Sequence, residues 1–372
     1  MNVSSPLFEL YQFGGRRLKS RVVMAPMTRN KSPGGVPGPD VAEYYRSRAE
    51  GGVGLIISEG TYIDHPAANG YVRVPAFHGK AALEGWQRVL DGVHAAGTAM
   101  IPQLWHVGSV RRPGMEPDPS VPGCGPVSVI EDGREVVVGM THADIREVVA
   151  SFARAASDAR RLGFDGVEIH GAHGYLIDQF FWAETNRRQD EYGGPAIENR
   201  VRFAEEIVKA VRAAVGPGFP IVFRFSQWKS GRYDARIFES VRDLQALLDP
   251  LVAAGVDLFH VSTRRFWEPA FDGMPDTLAA LTRKLSGRPV IGVGSVGLDK
   301  PHESRVAGSR STFQAAATDV DRVLAALQAR EFDLVAVGRA LLAEPMWVDK
   351  VRAGRFQEIR GLDQEAYRTL VV

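Results

Sequence analysis

The sequence predicts an α/β fold, a (β/α)8 barrel with elaborated loops. Short apolar runs rich in β-branched residues occur eight times along the chain. Most are followed by a segment whose apolar residues recur at helical spacing, and this alternation is typical of parallel βαβ units. The chain has 372 residues, whereas a plain barrel needs roughly 250. We therefore expect one domain over residues 1–372, with the surplus residues in loops.

The predicted strands and helices follow one another along the chain. The strands cover residues 21–25, 53–58, 99–104, 166–170, 221–225, 258–261, 290–293 and 334–337. Helical spacing of apolar residues covers residues 81–96, 144–162, 198–215, 238–254 and 321–329. Two further segments, 111–139 and 297–318, contain turn residues and charge without a periodic pattern. Both are predicted to be insertions in βα loops rather than linkers between domains.

The composition excludes several classes of protein. Lys and Arg number 45 and Asp and Glu number 44, so no overall field attracts nucleic acid or an anionic membrane. Cys124 is the only cysteine, which excludes an intrachain disulfide, a multi-cysteine zinc site and an iron–sulfur cluster bound by cysteines. No apolar run resembles a signal peptide or a membrane span. We expect a soluble, unprocessed protein of the cytoplasm.

Glycines and an arginine follow the last two predicted strands. Gly294 and Ser295 lie in the motif GVGSV after strand seven, and Gly338 and Arg339 lie in AVGR after strand eight. Barrels commonly bind phosphate at these two strand ends through backbone N–H groups and a helix N-terminus. Arg339 would add a bidentate, charge-assisted contact. The alternative is that these glycines only permit tight turns.

The residues after seven of the eight strands form a recognisable series. In chain order they are MAPMTR, SEGT, QLWH, HGAHGY, FRFS, GVGSV and AVGRALLAEP. Together these motifs resemble the Old Yellow Enzyme family of FMN-dependent ene-reductases, from about Leu7 to Trp347. The stretch EYGGPAIENRVRFAEEI over residues 191–207 is also similar to that family. Any one motif is weak evidence, but seven in the same order are specific.

A flavin ring needs hydrogen-bonding groups along one edge and apolar packing along the other. The resemblance implies that Thr28 contacts flavin O4, that Gln103 contacts N3–H and O2, and that Arg224 lies against N1 and O2. Capping or solvation of Thr28 and Gln103 is the alternative. A surface salt bridge is a poor explanation for Arg224, which lies in the apolar run VFRF. The resemblance further implies that the ring is lined by Ala25, Pro26, Met27 and Gly60.

Three polar rings crowd the end of the fourth strand. The resemblance implies that His170 and His173 donate hydrogen bonds to the oxygen of an activating carbonyl or nitro group. It implies that Tyr175 protonates one alkene carbon while flavin N5 supplies hydride to the other. Many relatives carry Asn in place of His173, and either side chain can donate. The alternatives are a zinc site, for which no third ligand is evident at suitable spacing, and structural histidines.

Two further groups follow predicted strands. Trp105 resembles the aromatic residue at the substrate mouth of the family, although packing alone is an equal alternative. The loop of residues 263–267, which runs from Thr263 to Trp267, departs from the usual family sequence. It could contact substrate or the NAD(P)H phosphate, or it could be solvated, and the sequence does not decide between them.

The resemblance implies an FMN-dependent oxidoreductase that uses NADH or NADPH to reduce enones, enals, maleimides or nitroalkenes by ping-pong kinetics. Its partners would be small molecules, with a homo-oligomer compatible with the sequence. We expect no appended iron–sulfur and dinucleotide domain, given one cysteine and little chain after the eighth unit. The rivals are another FMN-barrel dehydrogenase, demethylase or monooxygenase-like enzyme, a flavin-free lyase or aldolase in which Lys229 forms a Schiff base, and a binding protein.

Overall fold

The computed structural model describes residues 5–297 and 317–372. Within them the strands are β1 (Tyr11–Phe13), β2 (Arg16–Leu18), β3 (Val22–Met24), β4 (Leu55–Tyr62), β5 (Ala99–Trp105), β6 (Gly123–Gly125), β7 (Val129–Glu131), β8 (Arg134–Gly139), β9 (Val167–His173), β10 (Ile221–Lys229), β11 (Leu258–Ser262), β12 (Val290–Val293) and β13 (Leu334–Val337). The helices are α1 (Pro39–Glu50), α2 (Lys80–Ala95), α3 (His142–Leu162), α4 (Leu176–Phe181), α5 (Ile197–Val215), α6 (Val241–Ala254), α7 (Leu278–Ser286), α8 (Ala317–Gln328), α9 (Arg339–Ala343), α10 (Trp347–Arg352) and α11 (Gln364–Arg368). None of the helices described is both long and apolar enough to cross a bilayer.

Eight parallel strands close into a barrel in the order β3-β4-β5-β9-β10-β11-β12-β13. The predicted fold class is therefore confirmed, and each barrel strand coincides with one of the eight apolar runs. Because all eight are parallel, their carboxyl ends meet at one rim of the barrel. The hairpin of β1 and β2 was not predicted. Its Phe13 and Leu18 pack with residues at the starts of the barrel strands, so it covers the opposite opening.

Strands β4 and β10 each run four residues beyond their predicted ends, and β9 runs three residues beyond its own. The apolar runs end at Ser58 and Phe225, but β4 continues to Tyr62 and β10 to Lys229. Each strand changes register with its neighbour just beyond its apolar run. A bulge of this kind bends a strand and redirects its side chains. The extensions pair Gly60 with Gln103 and Lys229 with His173.

The segment of residues 111–139 was predicted to be a loop, yet most of its second half forms a small three-stranded sheet in the order β6-β8-β7. Strands β7 and β8 form a hairpin through Asp132 and Gly133, both with positive φ, 49° and 75°. Asp-Gly is a favoured pair for such a turn, so the sequence did contain this signal. The other predicted insertion, residues 297–318, lies almost wholly outside the described residues.

A buried ion pair supports the turn after β9. The Lys229 ammonium lies 3.0 Å from one Asp178 oxygen, and the side chains are 3% and 0% exposed. The other Asp178 oxygen accepts the Gly174 N–H, which fixes the turn between β9 and α4. Burial raises the pKa of Asp178 to about 6 from its ordinary 3.8 and lowers the pKa of Lys229. Loss of one partner would leave the other as an uncompensated buried charge.

Lys229→Met should therefore lower the free energy of unfolding by about 3 to 5 kcal/mol at pH 8. Because the folded state raises the pKa of Asp178 from 3.8 to about 6, stability falls as the pH rises through this interval, and loss of the ammonium extends the fall to higher pH. The loss should be smaller at pH 5, where Asp178 is protonated.

Urea unfolding at pH 5 and pH 8 would measure both values. The control is Lys209→Met, which removes a half-exposed lysine paired with Glu205 and should change stability by no more than about 0.5 kcal/mol. Similar small losses for both variants would show that the buried pair does not support the fold.

Candidate active site

The structure brings His170, His173 and Tyr175 together at the end of β9. The two imidazole centroids lie 5.2 Å apart with their planes at 89°, and the Tyr175 ring lies 5.1 Å from His170. His173 has a φ of 66°, in the left-handed region where Asn is enriched over most residues. An Asn side chain would therefore also be compatible with the backbone at this position.

Three residues outside the predicted set hold His173 in place. Its N–H donates to Ser226 Oγ at 3.0 Å, and its Nε2 forms a 2.8 Å hydrogen bond with Ser262 Oγ. The Trp228 ring stacks on the imidazole at 4.3 Å. Burial, followed by the nearby Arg224 charge, lowers the pKa of His173 well below 6.5, so the ring is neutral near pH 7.

His170 is held in a similar electrostatic environment. Its side chain is buried, and burial, followed by Arg224, lowers its pKa well below 6.5. Each imidazole therefore has one N–H to donate near pH 7. Two neutral donors at one strand end can stabilise an oxygen that gains negative charge.

Aromatic side chains surround Tyr175. The Tyr71 hydroxyl lies 3.0 Å from the Tyr175 hydroxyl, and Trp105 lies edge-to-face against Tyr175 at 4.9 Å. Trp105 also stacks with Tyr71 at 5.4 Å and is 2% exposed. It therefore packs in the core while also forming a wall of the site. Tyr71 was not predicted, because it lies in a loop rather than directly after a strand.

Gln103 and Arg224 lie in a polar network inside the barrel. Gln103 Nε2 donates to Glu168 Oε1 at 2.7 Å, and Glu168 Oε2 lies 2.7 Å from His260 Nδ1. Arg224 is 6% exposed, which excludes a surface salt bridge, and its Nη2 donates to Ser262 Oγ at 3.3 Å. Glu168 and His260 were not predicted. Their signal was a polar residue within an apolar strand, VEIH and LFHVS.

The end of β13 lies beside the residues that follow β3. A Cβ on Gly338 would lie 3.5 Å from Met27 Sδ and 3.8 Å from Ala25 Cβ, so these residues border a common space. Pro26 and Met27 are partly buried, and Thr28 is exposed. Gly60 lacks a side chain where a Cβ would lie 2.6 Å from the Trp105 ring. All four predicted ring-lining residues are thus at or near this rim.

The two predicted phosphate motifs have unusual backbones. Gly294 has a φ of 157° and Ser295 a φ of 56°, and a Cβ on Gly294 would lie 2.7 Å from Thr263 Oγ1. Only glycine fits at that position. Arg339 begins α9 and hydrogen-bonds Tyr367, while burial lowers its pKa.

The loop of residues 263–267 is anchored to the end of β12. Ser295 Oγ donates to the Arg264 carbonyl at 2.8 Å, and Thr263 Oγ1 donates to the Val293 carbonyl at 2.8 Å. The Arg264 guanidinium lies over the Tyr233 ring at 3.7 Å. These contacts place the loop beside the predicted phosphate motifs rather than free in solvent.

The arrangement does not favour metal or Schiff-base chemistry. Among the described residues, His170 and His173 belong to no group of three potential metal ligands. Lys229 is buried and donates to Asp178 and to the Gln227 carbonyl. Both contacts engage the amine that a Schiff base would need.

One group of three potential ligands, His65, His106 and Cys124, lies nearby. His106 Nδ1 accepts the Gly108 N–H at 3.0 Å, so its proton is on Nε2, which lies 3.0 Å from His65 Nδ1. The cluster is therefore satisfied by hydrogen bonds in this arrangement. Burial raises the pKa of the Cys124 thiol to about 12.

FMN fits the groups at the rim. Arg224 Nε and Trp105 Nε1 are buried donors with no hydrogen-bond partner within residues 5–297 and 317–372. Gln103 and Arg224 supply polar groups, Ala25 and Met27 supply apolar surface, and Gly338 leaves room beside them. Residues that would hold the phosphate are Gly294, Ser295, Gly338 and Arg339.

Comparisons with known proteins agree with this assignment. The sequence matches the family described as NADH:flavin oxidoreductase / NADH oxidase over residues 6–358. It is 43% identical over 224 residues to 12-oxophytodienoate reductase 7 of Oryza sativa subsp. japonica, covering 57% of this chain and 56% of that protein. It is 33% identical over 368 residues to NADH oxidase of Thermoanaerobacter brockii, covering 95% of this chain and 52% of that protein. The matched region thus spans about half the length of these curated relatives.

Solved structures share the fold. Morphinone reductase in complex with tetrahydroNAD has a TM-score of 0.79 and 31% identity, covering 97% of this chain and 93% of that chain. The Old Yellow Enzyme homologue from Zymomonas mobilis has a TM-score of 0.77, covering 98% and 99%, and at 24% identity this supports the fold alone. The family match covers nearly the whole sequence. The chain belongs to the NADH:flavin oxidoreductase / NADH oxidase family, that of Old Yellow Enzyme.

Proposed function

We propose that the chain is an FMN-dependent NAD(P)H oxidoreductase that reduces activated carbon–carbon double bonds, such as those of enones, enals, maleimides and nitroalkenes. The observation that carries this proposal is the cluster of His170, His173 and Tyr175 at one strand end, beside the buried Arg224 and Gln103. Two N–H donors and one hydroxyl donor are the groups that conjugate reduction of an alkene requires.

The histidines would bind the oxygen of the activating group. Both are neutral near pH 7 because burial lowers their pKa values, so each donates one N–H without transferring a full proton. Their hydrogen bonds strengthen as the oxygen gains negative charge, which stabilises the transition state more than the ground state. Trp105 and Trp228 hold the rings in position from the sides.

Tyr175 would supply the proton. Its hydroxyl lies 3.0 Å from that of Tyr71, and when Tyr71 donates to it, the Tyr175 proton is available to the substrate. FMN, held by the residues named above, would supply the hydride chemistry, with NADH or NADPH as the hydride donor. Arg224 would hold the negative charge of the reduced ring, and its permanent charge suits this role. A single site serving both half-reactions gives ping-pong kinetics.

The names of the relatives support this class of chemistry. 12-Oxophytodienoate reductase and morphinone reductase are reductases, while NADH oxidase and the tetrahydroNAD complex support a nicotinamide hydride donor. Another FMN-barrel reaction, such as dehydrogenation, demethylation or monooxygenation, is the rival. The position of Tyr175 beside the two histidines favours alkene reduction.

We also propose that the protein is a single-domain enzyme of the cytoplasm, and its single cysteine supports that compartment. The sequence is compatible with a homo-oligomer.

FMN should copurify with the protein, and denaturation should release FMN rather than FAD. Arg339→Ala should weaken FMN binding by about tenfold to a hundredfold, the effect of one charge-assisted hydrogen bond. Fluorescence titration of the flavin-free protein with FMN would measure the dissociation constants. Arg355→Ala, which removes an exposed arginine paired with Glu358, is the control. A protein that takes up no flavin would end the proposal, and unchanged affinity in Arg339→Ala would place the phosphate elsewhere.

Tyr175→Phe should separate proton transfer from hydride transfer. The variant keeps the ring and removes the hydroxyl, so flavin reduction by NAD(P)H, which needs no such proton, should change little. Reoxidation by cyclohexenone should slow by about 10² to 10⁴, the usual contribution of general acid catalysis. Nitroalkenes should be affected less, because hydride addition gives a stable nitronate that is protonated later.

Stopped-flow absorbance of the flavin would follow both half-reactions. Tyr192→Phe, whose hydroxyl bonds Glu206 instead, is the matched control, and reoxidation by dioxygen is an internal one. Equal slowing of reduction and reoxidation would mean that Tyr175 only shapes the site. No slowing of either would assign the proton to another group.

A further inference from the structure

We propose that Ser262 fixes the tautomer of His173, so that Nδ1 carries the imidazole proton and donates it to the substrate oxygen. This inference rests on the proposed function. Ser262 is the last residue of β11, and the sequence motifs gave it no role. It is a positioning residue: it acts through His173 and need not touch the substrate.

The hydroxyl of Ser262 lies between two partners of different character. Arg224 Nη2 lies 3.3 Å from Ser262 Oγ, and a guanidinium can only donate. Ser262 Oγ therefore accepts that bond and retains one proton to donate. The second partner is His173 Nε2 at 2.8 Å. Since Ser262 is 3% exposed, its proton is satisfied when His173 Nε2 accepts it.

A neutral imidazole has one proton, so an accepting Nε2 requires the proton to be on Nδ1. Two features keep the ring neutral. Its burial opposes a second proton, and the fixed charge of Arg224 opposes it further. Arg224, which is proposed to lie beside the flavin, thus has a second effect. Through the hydroxyl of Ser262 it determines which nitrogen of His173 donates.

The orientation of the ring is fixed at the same time. Trp228 stacks on the imidazole at 4.3 Å with 24° between the planes. The Trp228 N–H donates to the Ser262 carbonyl at 3.1 Å, so the backbone of Ser262 holds the stacking partner while its side chain holds the ring. The left-handed backbone of His173, with its N–H on Ser226 Oγ, completes the constraint.

The chemistry of asparagine supports this assignment. Nδ1 of His and Nδ2 of Asn are each bonded to Cγ, so an Nδ1–H donor at this position replaces the amide donor of Asn. Asn has no atom equivalent to Nε2 and needs no residue to select its proton position. A chain with His173 does need one, because the other tautomer would present a lone pair to the substrate oxygen.

Nuclear magnetic resonance can test the tautomer directly. In protein labelled with ¹⁵N-histidine, long-range ¹H–¹⁵N correlations distinguish Nδ1–H from Nε2–H, and His173→Asn assigns the signals by their loss. We expect Nδ1–H in the parent at pH 7.5. Ser262→Ala should shift His173 toward Nε2–H, whereas Ser262→Thr, which keeps the hydroxyl, should retain Nδ1–H.

Phenol binding gives a second measurement, because a phenolate oxygen resembles the oxygen of the polarised substrate. By calorimetry on the FMN-loaded protein, Ser262→Ala should weaken phenol binding about tenfold, the equivalent of one hydrogen bond, and Ser262→Thr should restore it. In a His173→Asn background Ser262→Ala should have little effect. In both backgrounds Ser262→Ala removes the hydrogen bond from Arg224 to Ser262. The difference between the two losses of phenol affinity therefore measures the contribution made through His173.

Nε2–H in the parent would overturn the inference, as would the same tenfold loss in both backgrounds. Failure of the proposed function is distinguishable from either result. A parent that reduces no alkene but carries Nδ1–H would reject the function and leave the tautomer assignment. A parent that reduces alkenes while carrying Nε2–H would reject the assignment alone.

Discussion

A buried carboxylate inside the barrel, Glu168, orients polar groups beneath the rim. It is fully buried and accepts hydrogen bonds from Gln103 and His260, both at 2.7 Å. A charge in this position is tolerated only because of such partners and the nearby Arg224 cation. The bond to Glu168 uses one N–H of the Gln103 amide, which determines the direction of its oxygen. Removal of Glu168 would therefore disturb Gln103 and Arg224, the groups proposed to face the flavin, although Glu168 itself is not among them.

The extended ends of β4 and β10 connect this interior to the rim. β4 and β10 continue as strands beyond their apolar runs, with a shifted register against their neighbours. The extension of β10 brings Trp228 against His173 and Lys229 against Asp178. The turn after β9 is thus held by ring stacking on His173 and by the ion pair between Lys229 and Asp178. Neither support comes from the turn itself.

Much of the fold was predictable because it depends on local pattern. Eight apolar runs of β-branched residues marked all eight barrel strands, since buried parallel strands are apolar on both faces. The β7 and β8 hairpin was missed although Asp132 and Gly133 are a known turn pair. The ends of β4 and β10 could not be predicted, because a bulge depends on the register with a neighbouring strand rather than on the sequence of one strand.

The candidate site was predictable where its residues lie at the end of a predicted strand. His170, His173 and Tyr175 were found because they share one short motif, and the structure brings them together. Tyr71, Trp228 and Ser262 were missed, since each contacts the motif from another strand or loop. A single sequence without structure contains no signal for such contacts. Their identification requires the order of the strands around the barrel.

The hydrogen-bonded cluster of His65, His106 and Cys124 has a consequence for the durability of the protein. A reduced flavin exposed to air generates hydrogen peroxide, which oxidises thiolates rather than thiols. Burial raises the pKa of Cys124 to about 12, so the thiol is protonated at pH 7. The thiol of Cys124 is thus a poor target for such peroxide. The folded chain should therefore resist alkylation at Cys124.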